Sequence, residues 1–323
     1  MAKPKVAFYW CASCGGCEEA IVDLAENILP VVEAVDIVLW PVALDFKRKD
    51  IEAMEDGEIS VSFINGAIRS EEQEEMVKLL RRKSQIVIAF GSCAYLGGIP
   101  GLANLFTRQE ILDTVYFDAP SVVNPNKILP QLATDMGEGE VTLPELHECV
   151  KTLDQVIAVE YYIPGCAPPP DLISEALTAI LEGKLPAVGS VLAPQKTLCD
   201  TCPRKDSKPE KISVSEVKRM AFTQIPDDKC FLSEGVICLG PATISGCGTR
   251  CINANMPCRG CFGPSKAVKD QGAKFLSAFA SLIDSEDEEE IKKITDSVID
   301  PAGLFYMFSL PSSLKAKFFE REV

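Results

Sequence analysis

Val6-Ala7-Phe8-Tyr9-Trp10, followed shortly by Cys14-Gly15-Gly16-Cys17-Glu18, is the stretch on which the fold turns. A short apolar run bounded by turn residues suits an interior strand, and a glycine pair opening onto an acidic residue suits the passage from strand to helix. Working outward, apolar runs recur at Val35 to Trp40, Ile59 to Ile68, Gln85 to Phe90 and Val156 to Ile163. Amphipathic stretches at Glu18 to Ile28, Glu71 to Arg82 and Asp171 to Glu182 alternate with them, each opened by an acidic residue that favours a helix N-terminus. Strands alternating with helices predict a doubly wound α/β domain around a parallel sheet of about four to five strands.

Pro100 to Cys149 breaks this rhythm with Pro120, Asn124-Pro125-Asn126 and Gly137, and is expected to be an insertion between two strands. From Val188 the alternation stops, and eight cysteines fall between Cys199 and Cys261. Two further helices are expected, around Ser265 to Ile283 and Glu286 to Ile299, the second opening on the acidic run Ser285 to Glu290, which suits a solvated helix start. The expected organisation is therefore an α/β domain over 1–190 and a smaller cysteine-organised domain over 191–323.

The chain has 323 residues, with Lys+Arg 32 against Asp+Glu 47 and a net charge of −15. Such a field repels phosphate backbones and anionic lipid, so no nucleic-acid partner is expected. No apolar run approaches the roughly 18 residues that span a bilayer, so direct membrane insertion is not expected either. Met1-Ala2-Lys3-Pro4-Lys5 leads straight into the first strand without a signal-peptide core, and the expected location is the cytoplasm, where thiols stay reduced.

Fourteen cysteines beside one histidine then demand a chemical role. Cys14 and Cys17 follow the first expected strand, Cys93 the fourth and Cys166 the fifth. The carboxyl edge of an open α/β sheet is where ligands bind, so four distant thiolates can converge there on one metal site. The helix after Cys14-Gly15-Gly16-Cys17 presents its positive end, which favours thiolate. In the second half Cys199-x-x-Cys202 is read with Cys230 and Cys238, and Cys247, Cys251, Cys258 and Cys261 lie close together. Setting Cys11 and Cys149 aside leaves three sets of four, the complement that iron–sulfur cubanes require. Structural zinc uses the same ligands and stays open on spacing alone, and another partition of the last eight cysteines satisfies the same count. Cys11 and Cys149 are read as structural thiols and His147 as no part of a nucleophilic pair. The Gly15-Gly16 turn could serve a flavin phosphate, but its cysteines occupy that corner.

Taken together these residues resemble the small subunit of [NiFe] hydrogenases. The resemblance rests on Cys14-Gly15-Gly16-Cys17-Glu18, on Gly91-Ser92-Cys93-Ala94 with Gly97-Gly98-Ile99, and on Pro164-Gly165-Cys166-Ala167-Pro168-Pro169 for a proximal cluster. Cys199-Asp200-Thr201-Cys202-Pro203-Arg204 with Cys230 and Cys238 resembles the distal signature; Gly240-Pro241-Ala242-Thr243 through Cys247, with Pro257-Cys258-Arg259-Gly260-Cys261, resembles the medial one. The resemblance implies a flavodoxin-like first domain and an iron–sulfur second domain. It departs from many relatives in placing Cys199 where they carry a histidine and in adding Cys251 to a three-cysteine medial site, which implies three [4Fe–4S] clusters.

The resemblance extends to cytoplasmic, methanogen-type enzymes, including through Asp300-Pro301-Ala302-Gly303-Leu304-Phe305-Tyr306, and favours the methyl viologen-reducing type over the coenzyme F420-reducing one. It implies a relay from a nickel-iron site on a large partner subunit to an iron–sulfur acceptor subunit that feeds heterodisulfide reductase. No catalytic residue is expected on this chain. The competing expectations are a zinc or iron–sulfur docking module and a free-standing polyferredoxin-like carrier. The related single-cluster subunit of respiratory complex I lacks the second cysteine domain.

Overall fold

The structure, a computed structural model, describes residues 3–265 and 267–313. The first half contains β1 (Lys5–Trp10), α1 (Gly16–Val22), α2 (Ile28–Ala34), β2 (Asp36–Leu39), α3 (Arg48–Glu52), β3 (Ile59–Asn65), β4 (Ile68–Ser70), α4 (Glu71–Lys83), β5 (Ser84–Phe90) and α5 (Ser92–Leu96). It continues through α6 (Arg108–Asp113), β6 (Ala133–Asp135), β7 (Glu140–Thr142), β8 (Leu146–Lys151), β9 (Tyr161–Ile163), α7 (Pro170–Leu181) and β10 (Ser190–Val191). Six parallel strands form the main sheet in the order β10-β9-β5-β3-β1-β2. The chain leaves β1 toward one edge and returns past it toward the other, the flavodoxin-like order whose reversal opens a crevice between β1 and β3.

Alternation along the strands makes two cores. Phe8 stacks on Phe63 with ring centroids 5.1 Å apart, Phe63 meets Phe90 edge-on, and these pack under α1 and α7 beside Trp40. Ala7, Ile64, Val87 and Ala89 point the other way, onto Met76, Val77 and Leu80 of α4. Each fully buried large side chain contributes about 1.5–3 kcal/mol. α4 starts where expected because Ser70 accepts from Gln73 N–H while the Gln73 side chain accepts from the Ser70 backbone, a reciprocal cap worth about 1 kcal/mol.

Several expected boundaries shift. The run Ile59 to Ile68 is two strands, because Gly66 takes φ +85° in close approach to the Cys11–Ala12 backbone and turns the chain so that β4 pairs antiparallel with β8. The expected helix Glu18 to Ile28 breaks at Ala25, whose φ is +50°, and resumes as α2. Val156 to Ile163 is a strand only in its last residues, its start lying beside a 3-10 turn at Leu153–Gln155. β10 was not anticipated; two residues give no period to read, and it straddles the expected boundary at residue 190. Residues 100–149 do lie between two strands of the main sheet, β5 and β9, and contain α6 and the β6–β7 hairpin.

The second half has α8 (Leu198–Thr201), α9 (Arg250–Asn253), α10 (Gln271–Ala280), α11 (Glu288–Asp296) and α12 (Pro301–Phe305). α10 and α11 are shorter than expected because Asp270 and Asp287 cap them from inside the anticipated spans. Lys266, within one of those spans, and residues 314–323 lie outside the described residues. Phe231, Phe275, Phe279 and Phe305 centre a third core. The halves share a packed seam: Ile244 and Phe262 enter the α1 side of the sheet, Gly98 N–H donates to Phe308 O at 3.0 Å, and the Gln155 amide donates to Pro311 O at 2.9 Å. Among the described residues no helix is long and apolar enough to cross a membrane.

Candidate iron–sulfur sites

β1 delivers Cys14 and Cys17 into the turn and first turn of α1, β5 delivers Cys93 into α5, and β9 delivers Cys166 into the following loop. The three loops are stitched together: Gly91 N–H donates to Ile163 O and Ser92 N–H to Gly165 O, both at 2.8 Å. Cys17 and Cys93 are buried while Cys14 and Cys166 reach the surface. Burial pushes the Cys17 thiol up, and Cys93, Cys166, Cys14 and Glu18 add to the effect. The expected lowering by the helix end is therefore outweighed at Cys17 by desolvation. Burial, then Cys166 and Cys14, push Cys93 up to about 12. Cys17 and Cys93 thus each lie near the other cysteines of this set.

The space beside these two thiols is kept open by glycine. A Cβ at Gly91 would lie under 3.0 Å from Cys17 Sγ, and one at Gly98 under 3.0 Å from Cys93 Sγ. Gly91 has φ +85° and ψ 167°, a conformation essentially restricted to glycine.

In the second half Cys199 is pushed up to about 12 by burial and then by Cys238, Cys202 and Cys230. Cys238 reaches about 11 through burial, although Gly240 and Cys258 N–H groups oppose the rise; Cys230 and Cys202 add to it. These four form a second group, with Gly240 leaving room beside Cys199 and Cys238. Burial and then Cys166, Cys247 and Cys251 raise the Cys261 thiol to about 12, against a hydrogen bond from Cys166 N–H. Cys258, raised by burial, faces Cys238 as well as Cys261. Cys247, Cys251 and Cys261 thus lie near one another, and Cys258 stands between Cys261 and Cys238.

Cys11 stands apart. Its thiol lies in the α4-side core with Ala7 and Val38, and burial alone raises it. Cys149 lies on β8, near Arg69, and His147 Nε2 is 3.1 Å from a Glu74 carboxylate oxygen.

The donor set fits iron–sulfur clusters. Clustered buried thiols repel one another once ionised, and a cationic group removes that penalty because a coordinated thiol is deprotonated outright. Backbone donors to sulfur are already in place: Gly16 N–H to Cys14 Sγ at 3.5 Å, and Cys258 N–H to Cys238 Sγ at 3.3 Å. Among the described residues no three Cys, His, Asp or Glu side chains close tightly enough around one point to hold a single metal ion.

Two charged residues of these sites carried no role in the sequence reading. Glu18, 4 % exposed, accepts from Trp40 Nε1 and from Asn65 Nδ2, tying α1 to the ends of β2 and β3. Burial pushes its carboxyl up, and the Trp40 and Asn65 donors oppose the rise. Arg204, 3 % exposed, holds loops of the second and third groups. Both lie beside cysteines in the sequence, which was the available signal; their burial and partners were not.

The family model described as NADH ubiquinone oxidoreductase, 20 Kd subunit, matches residues 14–180, the segment holding Cys14, Cys17, Cys93 and Cys166. The [NiFeSe] hydrogenase from Desulfovibrio vulgaris Hildenborough shares the fold, with a TM-score of 0.52 and 18% identity over 82% of this chain and 95% of that one. The iron–sulfur subunit of the F420-non-reducing hydrogenase of Archaeoglobus profundus is 40% identical over 96% of this chain and 97% of its own. The matching F420-non-reducing hydrogenase subunit of Methanothermobacter thermautotrophicus is 36% identical over 97% and 96%. Fold and thiol groups define the class first: a small, iron–sulfur subunit of the [NiFe] hydrogenase type, an oxidoreductase component. The second cysteine region lies beyond the reach of the 20 Kd family model but within the span shared with these hydrogenase relatives. Within that class the chain belongs to the family of small subunits of F420-non-reducing hydrogenases.

Proposed function

We propose that this chain is the electron relay of a cytoplasmic hydrogenase complex, carrying electrons from hydrogen oxidised at a nickel-iron site on a large partner subunit to an iron–sulfur acceptor subunit feeding heterodisulfide reductase. Residues 1–190 would carry the proximal [4Fe–4S] cluster on Cys14, Cys17, Cys93 and Cys166. Residues 191–323 would carry the medial cluster on Cys247, Cys251, Cys258 and Cys261, and the distal one on Cys199, Cys202, Cys230 and Cys238. When bound, the clusters supply one-electron carriers at potentials set by charge, hydrogen bonds and burial.

One observation supports this reading: cysteines of the three proposed sets adjoin one another across the two halves. Cys166 of the first neighbours Cys261 of the third, and Cys258 donates its N–H to Cys238 Sγ of the second at 3.3 Å. The Ser92 hydroxyl, next to Cys93, donates to the Cys261 carbonyl and fixes the first junction. Holding groups in register while excluding water is the protein's share of electron transfer. The exposed apolar side chains of Trp10, Val22 and Val42 around the Cys14 turn suit a large-subunit interface.

The test is iron, acid-labile sulfide and zinc analysis of the anaerobically purified complex, normalised to this chain, alongside hydrogen-dependent reduction of methyl viologen. About twelve iron and twelve sulfide with viologen reduction support the relay. Zinc without sulfide would make the chain a structural docking module, and a chain purifying without a large subunit would make it a free-standing carrier.

A further inference from the structure

We propose that two buried charges of opposite sign bias electron flow outward: Glu18 lowers the reduction potential of the first thiol group's cluster, and Arg204 raises those of the other two. The inference rests on the relay reading and assigns roles to residues that hold no iron.

Glu18 follows Cys17 and is 4 % exposed. One carboxylate oxygen accepts from the Trp40 indole N–H and the other from the Asn65 amide at 2.5 Å, while that amide also donates to Tyr9 O at 3.3 Å. Indole N–H and amide NH₂ groups only donate, so both oxygens act as acceptors, and the two donors favour the charged form against the opposing effect of burial. No lysine, arginine or histidine lies within ion-pair distance among the described residues. A held negative charge in a poorly solvated site opposes the arrival of an electron beside it.

Arg204 is the converse. At 3 % exposure it has no carboxylate within 4.0 Å among the described residues. Its Nη1 donates to Pro226 O at 3.2 Å and Lys229 O at 3.1 Å, and its Nη2 to Ile252 O at 3.4 Å and Asn255 Oδ1 at 2.8 Å. The guanidinium lies 4.2 Å from the centre of the Phe231 ring, and Nε has no partner. Lys229 precedes Cys230 and Ile252 follows Cys251, so the cation sits between the loops of the second and third groups. Buried charges are ordinarily paired. Here carbonyl dipoles and the Asn255 amide oxygen solvate the cation. Lys208 near Cys199, and Arg259 near Cys258 and Cys238, add to the same sign at this end.

Each transfer oxidises one group by one electron and reduces its neighbour by one, with no proton or bond exchanged; hydrogen oxidation supplies the electrons and the acceptor removes them. The test is an EPR-monitored redox titration of the purified, cluster-loaded complex carrying Glu18→Gln, Glu18→Asp, Arg204→Met or Arg204→Lys, with iron and sulfide counted in each. Glu18→Gln is expected to shift the proximal potential upward and leave the others in place, and Glu18→Asp to return it toward wild type. Arg204→Met is expected to shift the medial and distal potentials downward, with Arg204→Lys returning them. Unmoved potentials at full iron content, or charge-conserving variants that shift as far as the neutral ones, would overturn the proposal. Should Arg204→Met fail to load iron, the Arg204→Lys and Glu18 variants decide it. A wild-type complex without iron and sulfide would sink the relay reading instead.

Discussion

Replacing Gly91 by alanine should empty one cluster and leave two. Two effects add at this position. The backbone is at φ +85°, ψ 167°, where a side chain costs about 1–3 kcal/mol. The new Cβ would also fall under 3.0 Å from Cys17 Sγ and 3.4 Å from Gly165 O. Restoring ordinary contact near 3.5–4.0 Å requires a shift of well over about 1 Å. Neither side yields easily: Gly91 and Ser92 are hydrogen-bonded to Ile163 and Gly165, and Cys17 is locked into α1. A metal ligand tolerates only about 0.2 Å of error, so the sulfur leaves its iron first. The assay is iron and sulfide per chain in the purified complex, with EPR to identify which signal is missing. Iron should fall from about twelve to about eight, with loss of the proximal signal. Gly137→Ala is the control, since Gly137 has φ +80° but nothing within 4 Å; it should keep all its iron. Full iron content in Gly91→Ala would refute the placement of Cys17 and Gly91 at one cluster.

Cys251→Ala should lose about one iron, leaving a three-iron medial signal while proximal and distal signals persist; loss of four irons, or none, would reassign Cys251. Cys11→Ala should keep about twelve iron and cost about 1–2 kcal/mol for a small cavity in the α4-side core, read as a lower thermal midpoint at unchanged iron. Removal of iron by an anaerobic chelator should expose residues 196–262 to protease while residues 5–180 resist, because the cysteine region has only short helices of its own and the sheet does not depend on metal. Equal resistance of both segments would show that the second core holds without its clusters.

The sheet was legible where strands were interior and long: Val6 to Trp10 and Gln85 to Phe90 carry enough apolar residues to read as such. The chemistry of the cysteines was legible too, because thiols at sheet-edge turns and in short spacings limit what they can bind. Signals shorter than a period were not. β10 has two residues, and the end of β3 depends on a close backbone approach at Gly66.

What the sequence by itself determined is the alternation that builds the sheet and the supply of twelve thiols at expected strand ends and in short spacings, since both depend on near neighbours along the chain. Only the tertiary structure decided how those sets stand to one another. Cys166 meets Cys261 and Cys258 meets Cys238 because Phe262 and Ile244 pack into the α1 side of the sheet, a contact between residues far apart in sequence. The same is true of the charges: the sequence places Glu18 and Arg204 beside cysteine motifs, and only the fold buries one under Trp40 and Asn65 and the other among carbonyls. Burial is a property of the whole packed chain, and in a low-dielectric interior it turns a common side chain into a fixed field.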